Sequence, residues 1–166
     1  MRNRTVEVVD DFHPRPDRVR QLPADAEWMR LDATGEGALR TRRCYPSDEA
    51  TNGLTALLGR APEFEAGTDA FGFYTFVPAD STTRIEAETG SADLAAVLYL
   101  APPHLCAGGI SFLRETPTGT PEVTMQVAVR FNRLVLFRPG RVLHRAGAGF
   151  GAEPSHGRLA QVFLFN

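Results

Sequence analysis

The chain contains no lysine: all 18 of its basic residues are arginine. Chemistry that begins with a Schiff base on a lysine amine is therefore excluded, and with it pyridoxal enzymes and lysine-dependent aldolases. Cysteine is scarce too. Cys44 and Cys106 are the only 2, too few for a disulfide framework, and reduced thiols in a cytoplasmic setting are expected. The longest apolar run, around LAAVLYLA, falls far short of the about 20 residues a bilayer demands, so no membrane partner is expected. The opening stretch MRNRTVEVVDDFHPRP turns acidic where a signal peptide would be apolar, so export is not expected. The arginines form no basic block and the net charge is -2, which argues against nucleic acid as a partner.

What is present fits an ordinary globule. The 166 residues are 43% hydrophobic and 23% charged, enough for one real core. A single domain over residues 1–166 is expected, with 1–66 forming a strand and helices that pack on a barrel core at 67–166. TVEVV at Thr5–Val9 reads as a first strand. Pro14, Pro16 and Pro23 confine the next helix to about Asp17–Gln21. Ser47 can cap a second helix ending at Leu58, with Leu54, Leu57 and Leu58 on its apolar face. Beyond Pro62–Asp69 the pattern changes to period two and short apolar runs. Strands are predicted at Phe71–Val77, Thr82–Glu88, Leu94–Leu100, Ile110–Arg114, Val123–Val129, Leu134–Phe137, Val142–His144 and Leu159–Phe165. Turn chemistry separates them, as in PADS, TPTGTP and RPG. The expected fold is mainly β, a jelly-roll or related barrel with a small helical N-terminal layer.

Within that pattern a few residues carry chemistry. Glu86 and Glu88 alternate with Ile85 and Ala87, so period two sends both carboxylates to one face. If that face lines the barrel, the pair requires a cation or a shared proton; if it faces solvent, it is an acidic edge. His144 in RVLHRA is either catalytic or a hydrogen-bonded core histidine. Arg158 opens the apolar strand GRLAQVFLF and must find an anion, from the protein or from a ligand, or lie at the rim.

The order of these segments resembles the iron(II)- and 2-oxoglutarate-dependent oxygenases, in particular their prolyl-hydroxylase-like branch. In that family a strand with H-x-D is followed by a Tyr-Leu strand, then by GG and an apolar-aromatic strand. An Asn-Arg-Leu strand, a distal histidine and an arginine on the last strand complete it. Here the corresponding segments are IEAET, VLYL, GGISFLRE, FNRLVLF, HRA and GRLAQVFLF, and VEVVDDFHPRPDRVR and CYPSDEATNGLTALL resemble a small bacterial subfamily. The resemblance implies a double-stranded β-helix, cupin-like in its jelly-roll form, and covers nearly the whole chain. It implies that Glu86 stands where the family has its first metal histidine, Glu88 at the carboxylate ligand and His144 at the distal histidine. It also implies that Arg158, assisted by Tyr99, holds the far carboxylate of 2-oxoglutarate. E-x-E in place of H-x-D is the departure. Two histidines and a carboxylate leave Fe(II) net positive, whereas two carboxylates and a histidine neutralise it and suit manganese or magnesium as readily.

Three functions follow. The first is metal-dependent oxidation of a small molecule at a Glu-Glu-His site. The second is a lyase, isomerase or cyclase without iron, with Glu86, Glu88 and His144 as acid and base groups and Arg158 holding a substrate carboxylate. The third is a binding protein without activity. The substrate expected is a small acid or natural-product intermediate, free or carrier-bound; oligomeric state stays open. Elsewhere, His13 is expected at the surface, and His104 with Cys106 offers too few ligands for a metal. His156 is placed near the cavity mouth, and the glycine-rich loop Ala146–Gly157 is a candidate lid. Asn132 and Arg133 are assigned to the strand edge, and Trp28 to packing of the N-terminal layer on the barrel.

Overall fold

The computed structural model describes residues 5–31, 37–64, 70–79, 81, 85–86 and 92–166. Among these residues, eleven strands and two α-helices alternate with connecting segments. They are β1 (Val6–Val9), α1 (Pro16–Gln21), β2 (Trp28–Arg30), β3 (Leu39–Thr41), α2 (Asp48–Leu58), β4 (Phe71–Val77) and β5 (Ile85–Glu86). Then come β6 (Leu94–Tyr99), β7 (Gly109–Arg114), β8 (Glu122–Ala128), β9 (Arg133–Phe137), β10 (Leu143–Ala146) and β11 (Arg158–Phe165). A seven-stranded sheet runs β1-β9-β6-β11-β4-β3-β2, and a four-stranded sheet runs β5-β10-β7-β8. Every strand pairing among the described residues is antiparallel.

The larger sheet is apolar on both faces, which is why its strands read as unbroken apolar runs. Leu94, Ala96 and Leu98 of β6, Leu134 and Leu136 of β9 and Phe163 of β11 share one core with Val19 of α1 and Ala50 and Leu54 of α2. Ala95, Tyr99, Val135, Phe137 and Ala160 join a second core with Ile110 and Phe112 of β7 and Val127 of β8. Period two thus turns one face to the helices and the other to the smaller sheet. Ser47 caps α2 as expected, its Oγ accepting from the Ala50 N–H at 3.1 Å. At Gly72 the φ of +89° lets the chain pass the Tyr45–Pro46 backbone, 3.1 Å from where a Cβ would sit. The β4–β11 register slips close by, between Val162 and Phe163.

Strands β2 and β3 are absent from the sequence reading; three residues each are too few to show alternation. Trp28 lies on β2 and packs half-buried on the helix-side core. The expected strand Thr82–Glu88 is described only at Ile85–Glu86. On β8 only Val127 is buried, because that strand is the free edge of the smaller sheet.

His13 is a correction: it is 3% exposed. The Asn132 side chain grips its backbone from both sides, accepting from the His13 N–H at 2.8 Å and donating to the His13 carbonyl at 2.9 Å. The ring Nδ1 accepts from the Arg15 N–H at 3.0 Å, and buried Nε2 has no partner among the described residues. Next to it Arg133 grips Asp10 through Nε at 2.6 Å and Nη2 at 3.0 Å, holding that carboxyl below its usual range. Asn132 and Arg133 therefore tie the N-terminal segment to the sheet. Burial, with Arg15 nearby, lowers the His13 pKa from 6.5. The unfolded chain then binds a proton that the folded chain resists, so this contribution to stability is full above 6.5 and is lost as pH falls below it. His13→Gln should flatten the fall in melting temperature between pH 7 and pH 5 relative to wild type. An unchanged slope would show that the ring carries no such linkage.

Candidate active site

A cavity of about 380 Å³ opens between the two sheets, at the small end of ligand pockets. Its floor is the inner face of the larger sheet, including Thr75 of β4, Val97 of β6 and Ala160 of β11. Tyr99, Arg158, His144 and Arg40 bring polar groups to it.

Arg158 begins β11 and is 4% exposed. Its Nη1 donates to the Gly147 carbonyl and, at 3.3 Å, to that of Ala148; its Nη2 donates to the Gly109 carbonyl at 2.7 Å. The Gly147 N–H also donates to the Gly109 carbonyl at 2.7 Å. The segment just past β10 is thus clamped to the start of β7 by one guanidinium. Among the described residues no carboxylate forms an ion pair with Arg158. Tyr99 is 2% exposed and lies within the electrostatic reach of the Arg158 guanidinium. Burial pushes its phenol pKa up against the pull of that guanidinium, so Tyr99 stays neutral and keeps a proton to donate.

Gly109 is required by this arrangement. A Cβ there would sit 2.0 Å from the Val127 carbonyl oxygen on β8. Gly109→Ala should force β7 and β8 apart, cost about 3 kcal/mol of stability and displace a carbonyl that holds Arg158. Denaturant unfolding with a glutarate titration on the folded fraction checks this. Wild-type stability would show that the strands yield freely.

His144 is 4% exposed, with its ring edge-on to Phe137 at 4.8 Å between centroids. Its Nδ1 lies 3.4 Å from the Val142 carbonyl, a long contact of the kind that orients a ligating imidazole. Glu86 is the register partner of His144 across β5 and β10, so the backbone brings position 86 opposite position 144. Glu88 falls outside the described residues. Among the described residues no three His, Cys, Asp or Glu side chains form a metal-binding group. One buried histidine facing a glutamate position across two strands is compatible with a divalent cation, in a donor set richer in oxygen than two histidines and a carboxylate.

His156 does not reach the cavity. It is exposed and lies 3.3 Å from Glu153. Sequence reasoning missed Arg40, carried by the three-residue β3, and missed the carbonyl clamp on Arg158, for which the Gly108–Gly109 pair was the available signal.

No family model matches the chain, and no curated protein matches it. Solved structures do. A Pseudomonas putida prolyl-4-hydroxylase aligns with 99% of this chain and 94% of its own at 15% identity and a TM-score of 0.55. An oxidoreductase of the 2OG-Fe(II) oxygenase family from Burkholderia pseudomallei aligns with 99% and 85%, at 11% identity and a TM-score of 0.61. SnoN, a non-heme alpha-ketoglutarate-dependent epimerase of nogalamycin biosynthesis, aligns with 97% and 78%, at 15% identity and a TM-score of 0.54. The chain therefore has the double-stranded β-helix fold of the 2-oxoglutarate oxygenases. No helix among the described residues is long and apolar enough to cross a membrane.

Proposed function

We propose that the chain is an enzyme that binds 2-oxoglutarate and a divalent metal in this cavity and modifies a small, carboxylate-bearing molecule, free or carrier-bound. The observation that carries the reading is Arg158: a guanidinium 4% exposed, at the cavity wall, with no carboxylate partner among the described residues. An unpaired charge at that depth costs several kcal/mol. Backbone carbonyls offset part of the cost, and an anionic ligand offsets the rest. A guanidinium has five N–H donors. The carbonyls of Gly147, Ala148 and Gly109 take three, which leaves two donors for one carboxylate.

In this reading Arg158 holds the far carboxylate of 2-oxoglutarate by charge-assisted hydrogen bonds. Tyr99 donates its phenolic proton to the same carboxylate. The apolar floor excludes water and strengthens both contacts. His144, Glu86 and Glu88 are the residues that would hold the metal, iron(II) or manganese, which supplies Lewis acidity and, with oxygen, oxidising power. SnoN, an epimerase, shows that this fold is compatible with tailoring chemistry other than hydroxylation.

The Glu86–His144 register pairing favours a second reading. There Arg158 holds the carboxylate of the substrate itself, and the two side chains exchange a proton with it without metal. Titration of 2-oxoglutarate with and without iron(II) or manganese(II), under anaerobic conditions, separates the two. The metal-assisted reading expects metal to tighten 2-oxoglutarate at least tenfold while leaving glutarate, which lacks the 2-oxo group, almost unchanged. Equal binding with and without metal would overturn it in favour of the second.

A further inference from the structure

We infer that Arg40 is the specificity-determining residue of this cavity and selects a substrate with an anionic head on an apolar or aromatic body. The inference rests on the reading above for the role of Arg158, and on separate observations for Arg40. On β3, Arg40 pairs with Thr75; Thr75 pairs with Ala160, and Ala160 with Tyr99. The four residues form one row across the larger sheet, with Arg40 and Tyr99 at its ends. At about 4.8 Å per strand their backbones stand about 14 Å apart.

The Arg40 head is drawn further from Arg158. Its guanidinium carbon lies 4.2 Å from the centre of the Phe73 ring. Phe73 pairs with Val162, whereas Arg158 pairs with Val77. Successive inner positions on β4 therefore carry the two arginines to opposite ends of the cavity. The Phe73 face attracts the cation and fixes its plane, so little side-chain freedom remains to be lost when it meets a carboxylate. Beside it the cavity is lined by Leu31, Ala38 and Val162. Leu31 is 52% exposed, an apolar residue in the open at the end where a second molecule would enter. One end thus suits the far carboxylate of a co-substrate. The other suits a separate carboxylate whose body lies against Leu31, Val162 and the floor.

The test uses phenylacetate, its uncharged analogue phenylacetamide, and glutarate, followed by ligand-detected and side-chain NMR. In wild type, phenylacetate should bind with the same affinity whether or not glutarate is saturating, and should shift the Arg40 Nε–H signal. Phenylacetamide should bind at least about tenfold more weakly, as expected for loss of a charge-assisted hydrogen bond. Arg40→Gln should weaken phenylacetate about ten- to a hundredfold and leave glutarate within twofold, with Arg40→Lys in between. Equal binding of acid and amide, full competition by glutarate, or an unmoved Arg40 signal would overturn the inference. The wild-type signal decides even if a variant fails to fold. If glutarate does not bind while phenylacetate behaves as stated, the reading of Arg158 fails and the role of Arg40 stands.

Discussion

Arg158→Met should lower glutarate and 2-oxoglutarate affinity by at least about a hundredfold, because charge-assisted hydrogen bonds contribute about 1.5–3 kcal/mol each and two are lost. The side chain remains apolar and of similar length, so the cavity keeps most of its shape. Stability should fall as well. The Ala148 and Gly147 carbonyls lose their donor, at about 1–3 kcal/mol for each that stays buried. Relief from holding a buried cation works in the opposite direction. Arg158→Lys separates the two effects. It retains the charge, without the planar fork that serves three carbonyls at once. Calorimetric titration and thermal melts of both variants read binding and folding separately. If Arg158→Met binds glutarate like wild type, the arginine is only a clamp for the loop after β10.

Glu86→His should tighten 2-oxoglutarate to the iron(II)-loaded protein by about ten- to a hundredfold. Replacing a carboxylate by an imidazole restores one unit of positive charge to the metal site. At about 4 Å and an effective dielectric near 20 such a charge contributes about 4 kcal/mol to a nearby anion. Screening and imperfect geometry reduce that, and a third of it is still tenfold. An anaerobic titration followed by visible absorbance reads the effect directly. A variant that binds iron and 2-oxoglutarate no better than wild type would place position 86 outside the metal's reach. An imidazole nitrogen in place of a carboxylate oxygen also changes the ligand field at the metal, so the two proteins should differ in spectrum as well as in affinity.

The barrel was legible because its strands obey simple periodicity. From Phe71 onward nearly every expected strand is present within a residue or two. Runs such as LAAVLY and RLAQVFLF are apolar throughout because both faces of the larger sheet are covered. Strands β2 and β3 were invisible because their pairing is set by β4 and not by their own composition. His13 was misplaced for a similar reason. A histidine before a proline-rich turn looks solvent-facing, and Asn132, distant in the chain, decides otherwise. At the site, side-chain identity pointed to Tyr99, His144 and Arg158, which the cavity does bring together. Backbone carbonyls carry no side-chain signature, so the Gly108–Gly109 pair is the one sequence trace of the clamp on Arg158. Arg40 escaped with the strand that bears it. Glu88, outside the described residues, stays where the sequence left it.

In the proposed function Arg158 and Tyr99 form the anchoring end of a dicarboxylate site. Its most direct test is a titration of wild-type protein with 2-oxoglutarate, following the Arg158 Nε–H and Tyr99 ring signals by NMR. Both signals should shift together along one saturable curve, and glutarate should reproduce the shift. Two signals that stay still while 2-oxoglutarate is raised to saturation of any other site would contradict it.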